Sequence, residues 1–298
     1  MNSLANKIKR KSIYYIDRIL FKYYHKKLIS QGRRTSISDD DEYPVVCYMA
    51  SQNKHFFRRF RNNPVYNDIL EHVTQKQGQE YLDIIFEDKK LKFSDSDWDN
   101  FYKNDLYGSP VSFPYKINGS VRNFSPTTLR YIKVLQDIIT LFDQIQIKSV
   151  AEIGIGYAGE CRLLTSYLQT IVSYSLFDLP EVLELSKRYL DQFGTDITGK
   201  IKFIDGTVIN TDDTYDFVIS NYAFSELVRS VQDSYLNKVI LKSRAGYITW
   251  NSLSYDKLDG YSLEELLAKI PGSSAIEEKP LTKEKNCIII WGNKSVEV

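Results

Sequence analysis

A short apolar run, Val150, Ala151 and Ile153, stops abruptly at Gly154, Gly156 and Gly159, and a helical pattern follows. Few features restrict a fold as strongly. The run suits a buried strand, because it is too short for a helix and carries no alternation of polar residues. The glycines suit a tight turn in which backbone approaches a ligand without Cβ atoms in the way. The helix that follows opens its unpaired N–H groups towards that ligand.

Regular alternation continues from this point. Strands are expected at Val150–Ile155, Val172–Phe177, Ile201–Ile204, Tyr215–Ser220 and Ala245–Trp250, with helices at Glu160–Leu168, Pro180–Phe193, Val231–Lys242 and Leu263–Ile270. Strands separated by helices imply a mostly parallel sheet covered on both faces. Ala275–Lys279 and Cys287–Trp291, joined by the polar loop Pro280–Asn286, read instead as a terminal hairpin, which places an antiparallel strand last in the sheet. Upstream, residues 44–105 read as short helices, and 107–126, rich in glycine and proline, as a long turn-rich connector. Ser125-Pro126 then starts a helix running from Leu129 to Phe142. The expected division is a mainly helical region with its connector over 1–124 and an α/β domain over 125–298.

In open parallel sheets ligands bind outside the carboxyl ends of the strands, and here successive strand ends carry suitable chemistry. The glycine loop is shared by dinucleotide-binding folds and by S-adenosylmethionine (SAM) methyltransferases. Glu152, two residues before it, favours a cationic sulfonium-amine ligand over a pyrophosphate. The second strand ends at Asp178, placed to accept from ribose hydroxyls, with Leu179 beside it; the third ends at Asp205 and Gly206, towards the adenine amino group. The fourth ends at Ser220-Asn221-Tyr222, facing methyl donor and acceptor. Each acid alone also suits a helix cap, as Asp178 before Leu179-Pro180 illustrates; together they point to SAM. The fold expected is therefore α/β: a Rossmann-like class I methyltransferase sheet, mostly parallel with an antiparallel last strand, and a mainly helical amino-terminal domain.

Residues 107–251 resemble the bacterial sugar O-methyltransferases of polysaccharide and lipopolysaccharide gene clusters. The resemblance rests on Ser125-Pro-Thr-Thr-Leu-Arg-Tyr131, on Glu152-Ile-Gly-Ile-Gly-Tyr-Ala-Gly-Glu160, on Phe177-Asp-Leu-Pro-Glu181 with Tyr189-Leu190, on Ser220-Asn-Tyr-Ala-Phe-Ser-Glu-Leu227, and on Gln232, Tyr235 and Asn251. It covers about half the chain; the first hundred residues show no matching motif. It implies SAM-dependent methylation of a sugar hydroxyl, in surface polysaccharide or O-antigen synthesis.

A sugar hydroxyl is a very weak acid, so a general base is expected. All three histidines, His25, His55 and His72, precede the sheet. Glu226 is the first choice for base and His72 the second; no clustered ligand spacing suggests a metal. Arg130, after the connector, is placed to meet the methionine carboxylate, and Tyr157 to line the donor site through its backbone. Tyr222, Arg229, Gln232, Tyr235 and Asn251 are expected to hold the acceptor through hydrogen bonds and aromatic faces. The competing readings are methylation of another small molecule and, on a different Rossmann sheet, an NAD-dependent oxidoreductase.

The acceptor expected is a nucleotide sugar, a lipid-linked oligosaccharide or a polysaccharide end. A formal net charge of +1 gives no support to a nucleic-acid partner. Cys47, Cys161 and Cys287 lie far apart and read as reduced thiols of a cytoplasmic protein. From Lys7 to Arg34 the chain is basic, with Asp17 the one acid, and Ile8, Ile16, Ile19, Leu20, Tyr23 and Leu28 form an apolar stripe. Such a helix either packs its stripe on the protein or lies at the inner face of a membrane; a mobile loop, Ser36–Glu42, follows. Tyrosine-rich helices here also suit a homodimer contact.

Overall fold

The computed structural model describes residues 2–31, 42–252, 255 and 259–293, with side chains from residue 16 onward. The loop expected over Ser36–Glu42 lies outside them, apart from Glu42, which opens a helix.

The amino-terminal region is helical: α1 (Asn2–Ser30), α2 (Glu42–Gln52), the short turns α3 (Lys54–Phe57) and α4 (Pro64–Tyr66), a π-turn at Asn67–Glu71, α5 (Gln75–Glu87) and α6 (Asp95–Tyr102). Their starts are specified locally. Thr74 with Gln77 and Ser94 with Asp97 each form a reciprocal capping box, which satisfies amide N–H groups the first helical turn leaves unpaired.

Residues 107–126 are not a structureless connector. They contain a two-stranded hairpin, β1 (Phe113–Ile117) and β2 (Ser120–Phe124), paired in register from Phe113↔Phe124 to Ile117↔Ser120. Its two-residue loop is Asn118-Gly119, at φ +48° and +83°. Two successive positive φ angles make the turn whose twist matches paired strands, and Asn-Gly is the dipeptide that adopts it most readily.

The rest follows the expected alternation: α7 (Pro126–Leu141), β3 (Ser149–Ile153), α8 (Gly159–Tyr167), β4 (Ser173–Asp178), α9 (Pro180–Leu190), α10 (Thr195–Thr198), β5 (Ile201–Asp205), β6 (Tyr215–Asn221), α11 (Arg229–Lys238), β7 (Ser243–Trp250), α12 (Leu263–Lys269), β8 (Ser274–Glu277) and β9 (Cys287–Trp291). The seven strands order as β5-β4-β3-β6-β7-β9-β8. β9 runs antiparallel between β7 and β8, and the other pairings are parallel. This is the class I methyltransferase sheet, with strand order reversing between β3 and β6, where such sheets open a ligand crevice.

Alternate residues of each strand face opposite layers. Val150, Leu176, Phe217, Tyr247 and Ile290 join the core that also holds the amino-terminal helices. Ala151, Phe177, Val218 and Ile248 join the core beneath α11 and α12. The first core runs without a break from Tyr24 to Ile290, so side chains on both sides of residue 124 share it. α2 lies on α9, where Arg188 donates to the Ala50 and Ser51 carbonyls at 3.0 and 2.7 Å.

The apolar stripe expected on α1 is split. Leu28 is buried and Leu20 half-buried, whereas Ile16, Ile19 and Tyr23 are exposed; the side chain of Ile8 lies outside the described residues. The helical spacing brings all of them near one side, but the face that meets α2 is centred on Tyr24 and Leu28.

Candidate functional site

Backbone geometry at the end of β3 makes the site. Gly154 and Gly156 stand at φ +75° and +55°, conformations that disfavour side chains. A Cβ on Gly154 would overlap the Ala223 methyl, and one on Gly156 would press on Leu70. Asp178 closes the neighbouring strand end. Its Oδ2 accepts from the Ile155 N–H at 2.8 Å and its Oδ1 from the Leu179 N–H at 2.7 Å. Burial raises its pKa to about 6, while those N–H groups oppose the rise.

These groups form the floor of a cavity of about 480 Å³, a size ordinary for small-molecule sites. Asn221, Tyr222 and Ala223 continue the floor from the end of β6, and Leu179, Gly206, Val231 and Tyr235 line one end. The Tyr235 hydroxyl sits where a Gly206 side chain would be. The amino-terminal region supplies the roof: Tyr43 from α2, Leu70 and His72 around the π-turn, and Gln77 and Tyr81 from α5. Arg61 holds this roof from behind. It is fully buried, pairs with Glu71 and Asp105, donates to the Asn104 carbonyl at 2.9 Å, and stacks on the Tyr157 ring.

Arg130 also enters the cavity. It is 7% exposed, and its Nε has no hydrogen-bond partner. The rings of Tyr131 and Tyr222 stand 5.7 and 5.8 Å from its guanidinium carbon. No described acid forms an ion pair with it, so a buried cation faces the cavity awaiting an anionic partner.

No family model matches this chain, and no curated protein matches it. Solved structures do. The Thermoplasma acidophilum 1320 structure is 21% identical over 56% of this chain and 90% of its own, with a TM-score of 0.37. The methyltransferase domain of bacterial CtHen1 is 13% identical over 54% of this chain and 96% of its own, TM-score 0.43. The glycopeptide N-methyltransferase MtfA, complexed with SAM, is 8% identical over 52% and 84%, TM-score 0.38. The fold assignment rests on the strand order of this sheet itself.

Both candidate bases line the cavity. Asn251 Nδ2 donates to Glu226 Oε1 at 2.7 Å. Burial raises the Glu226 pKa, with the Asn251 bond and the Lys283 charge opposing. Burial and the Arg130 charge lower that of His72, so its imidazole is neutral at neutral pH. Tyr222, at φ +69°, bonds through its hydroxyl to Glu278, whose other oxygen accepts from Thr282 N–H and Oγ1 at 3.0 and 2.7 Å. Burial pushes the Tyr81 phenol up to about 12, against the Arg130 charge.

Of the residues expected at the site, Gly154, Gly156, Asp178, Leu179, Gly206, Asn221, Arg130, Tyr222, Tyr235, Asn251, Glu226 and His72 converge on this cavity. Six do not. Glu152 points into the protein, 2% exposed, where it accepts from the Tyr174 hydroxyl at 2.7 Å. Tyr157 packs its ring against Tyr189 and Phe60, and Gly159 makes room for that ring. Asp205 turns back to Thr207, accepting from its N–H and hydroxyl, so Gly206 alone of that pair reaches the cavity. Arg229 is spent on Glu265, at 3.0 and 3.1 Å, and on the Gly260 carbonyl. Gln232 uses both ends of its amide, donating to the Phe224 carbonyl and accepting from the Tyr261 N–H. These last two tie α11 to the loop before α12 instead of facing an acceptor.

Among the residues that sequence reasoning missed are the roof positions Tyr43, Leu70, Gln77 and Tyr81, and Thr282, Lys283 and Asn286 from the β8–β9 loop. The Thr74–Gln77 capping box fixes the start of α5, but nothing local to those residues tells where that helix lies.

Proposed function

We propose that this chain is a SAM-dependent O-methyltransferase whose acceptor is a sugar hydroxyl, acting in surface polysaccharide or O-antigen synthesis. The observation that carries the donor assignment is the meeting, in one cavity, of the glycine turn, the Asp178 carboxylate and the unpaired Arg130 guanidinium. SAM, when bound, supplies a methyl group already activated on a sulfonium. The residues suit its parts. Arg130 offers its orphaned N–H to a carboxylate. Asp178, whose oxygens accept from the Ile155 and Leu179 N–H groups, keeps acceptor capacity for ribose hydroxyls. Leu179, Val231 and Tyr235 give an apolar, partly aromatic end for a purine.

The chain's task is then alignment and proton removal. Asn251 fixes Glu226 Oε1, leaving Oε2 to take the acceptor hydroxyl proton; the acceptor oxygen would gain the methyl carbon as the carbon–sulfur bond of the donor breaks, its electron pair staying on the sulfur of the departing S-adenosylhomocysteine. A raised Glu226 pKa makes that carboxylate a stronger base. The sugar assignment draws on the Ser220–Leu227 resemblance and on the mixed wall of Tyr81, Tyr222, Gln77, Asn251 and Asn286, whose ring faces and amides suit a pyranose. His72 supports a second reading as base, because it is a neutral imidazole lining the same cavity.

Calorimetric titration with SAM and with NAD tests the donor; NAD binding without SAM binding would overturn it. Mass spectrometry of surface glycans from cells with and without the protein tests the acceptor. Loss of a methyl increment is expected, and an unchanged glycan with methylation of a different small molecule would overturn the sugar assignment.

A further inference from the structure

We propose that the outward face of α1 docks on an anionic lipid surface. The helix has two unlike sides. Its inner side is fixed to the protein: Tyr24 and Leu28 are buried, Tyr24 meets the Tyr48 ring of α2 edge-on at 5.7 Å, and Asp17 holds Arg59 through two contacts of 2.6 Å. Its outer side displays Ile16, Ile19 and Tyr23, which are 52%, 69% and 59% exposed. Their spacing of three and four residues puts them on one line along the helix.

Single exposed apolar residues are ordinary, but a line of three on one helix face is a patch. Lys22 and Lys26 are exposed beside it. From Lys7 to Arg34 the sequence carries ten lysines and arginines and one acid, Asp17, whose charge Arg59 already answers. The whole chain has a formal charge of only +1, so the basic charge is concentrated here and the remainder is net acidic.

Apolar side chains flanked by lysines are what an interfacial helix presents: the apolar line enters the acyl boundary and the lysines reach anionic headgroups. Each cation near such a surface adds to the attraction. No described helix is long and apolar enough to cross a membrane, so α1 would lie in the interface plane. A second copy of the chain is a poorer occupant, because a two-fold contact would bring these lysines together. A nucleic acid would engage the lysines and leave Ile16, Ile19 and Tyr23 unused. Since α1 packs on α2, which carries Tyr43 into the cavity roof, docking would hold the cavity close to the lipid surface. The inference does not depend on methyl transfer.

Co-sedimentation of the full chain with vesicles tests it. Binding is expected to phosphatidylcholine vesicles containing phosphatidylglycerol at roughly three to one, to weaken as salt rises, and to be absent with phosphatidylcholine alone. The double variant Ile19→Glu, Tyr23→Glu should lose at least about tenfold in vesicle affinity. Both side chains are exposed, so its thermal unfolding midpoint should stay unchanged. Lys22→Glu with Lys26→Glu should do the same to vesicle binding. No binding to the anionic vesicles, or binding that neither variant weakens, would overturn the proposal. So would a dimer in sedimentation velocity that the first variant dissociates, or binding of a single-stranded RNA homopolymer in place of vesicles.

Discussion

The floor and the roof of the cavity are built by different means. The floor is backbone: the glycine turn, the end of β4 and the end of β6, held by the sheet's own hydrogen bonds. The roof is side chains on helices that come from far away in sequence, held by a buried ion-pair network around Arg61. A floor of this kind keeps its shape when side chains change, as long as the turns survive, although its Asp178 carboxylate still faces the cavity. A roof of the second kind depends on each partner, because removing one charge leaves the others buried and unanswered. In the proposed reaction the floor serves the donor, and the acceptor meets the roof and the β8–β9 loop.

The sharpest way to break this contrast is Arg61→Ala. It leaves Glu71 and Asp105 as buried carboxylates without their cation, and a loss of about 3–5 kcal/mol in denaturant unfolding is expected. Glu71 ends the π-turn that precedes His72, so the roof should loosen before the sheet, visible as faster amide exchange over 67–82 than over β3 and β4. A loss below about 1 kcal/mol would mean that the network does not hold the roof. Next in size is Glu226→Gln, which should lower turnover by roughly 10²-fold or more with SAM binding retained. Because burial raises its pKa, activity in the wild type should fall as pH drops through that raised value, where the carboxylate takes up a proton. If Glu226→Gln keeps full turnover and a histidine replacement at His72 abolishes it, the base sits on the roof.

The contrast also explains what was legible in the sequence. Glycine spacing, the Asp178 strand end and the terminal hairpin are local signals, each read within a few residues, and they specify the sheet and much of the cavity floor; Glu152 and Asp205, read the same way, face elsewhere. The Asn118-Gly119 turn was equally local; the prolines around it masked a two-residue hairpin as a connector. Arg229 and Gln232 fall in the motif-bearing stretch but serve packing, since a motif gives position along a helix and not the partner waiting there. Tyr43, Leu70, Gln77 and Tyr81 were illegible for a different reason. Their role depends on where α2 and α5 dock, and long-range packing leaves no mark on neighbouring residues. Asp178→Ala tests the legible side. It removes the acceptor at the second strand end and should weaken SAM binding about tenfold or more by calorimetry; unchanged affinity would place the donor elsewhere in the cavity.

The smallest expected effect on SAM binding separates two acids that look alike in sequence. Asp178 faces the cavity, whereas Glu152 faces the interior, with the Tyr174 hydroxyl as its hydrogen-bond partner. Burial raises the Glu152 pKa from 4.5 to about 8, that hydrogen bond opposing. The folded chain therefore keeps a proton there that the unfolded chain releases near its ordinary value. Stability from this group is complete below about pH 4.5 and is lost as pH rises towards 8. Glu152→Gln keeps an oxygen for Tyr174 and has no proton to lose. Urea unfolding should find the variant within about 0.5 kcal/mol of wild type at pH 4 and more stable at pH 8.5, by up to about 4–5 kcal/mol for a shift of that size. SAM affinity should change less than about twofold, because the side chain does not reach the cavity. A tenfold loss of SAM affinity with no pH-dependent gain in stability would return Glu152 to the donor site and make the floor a matter of side chains after all.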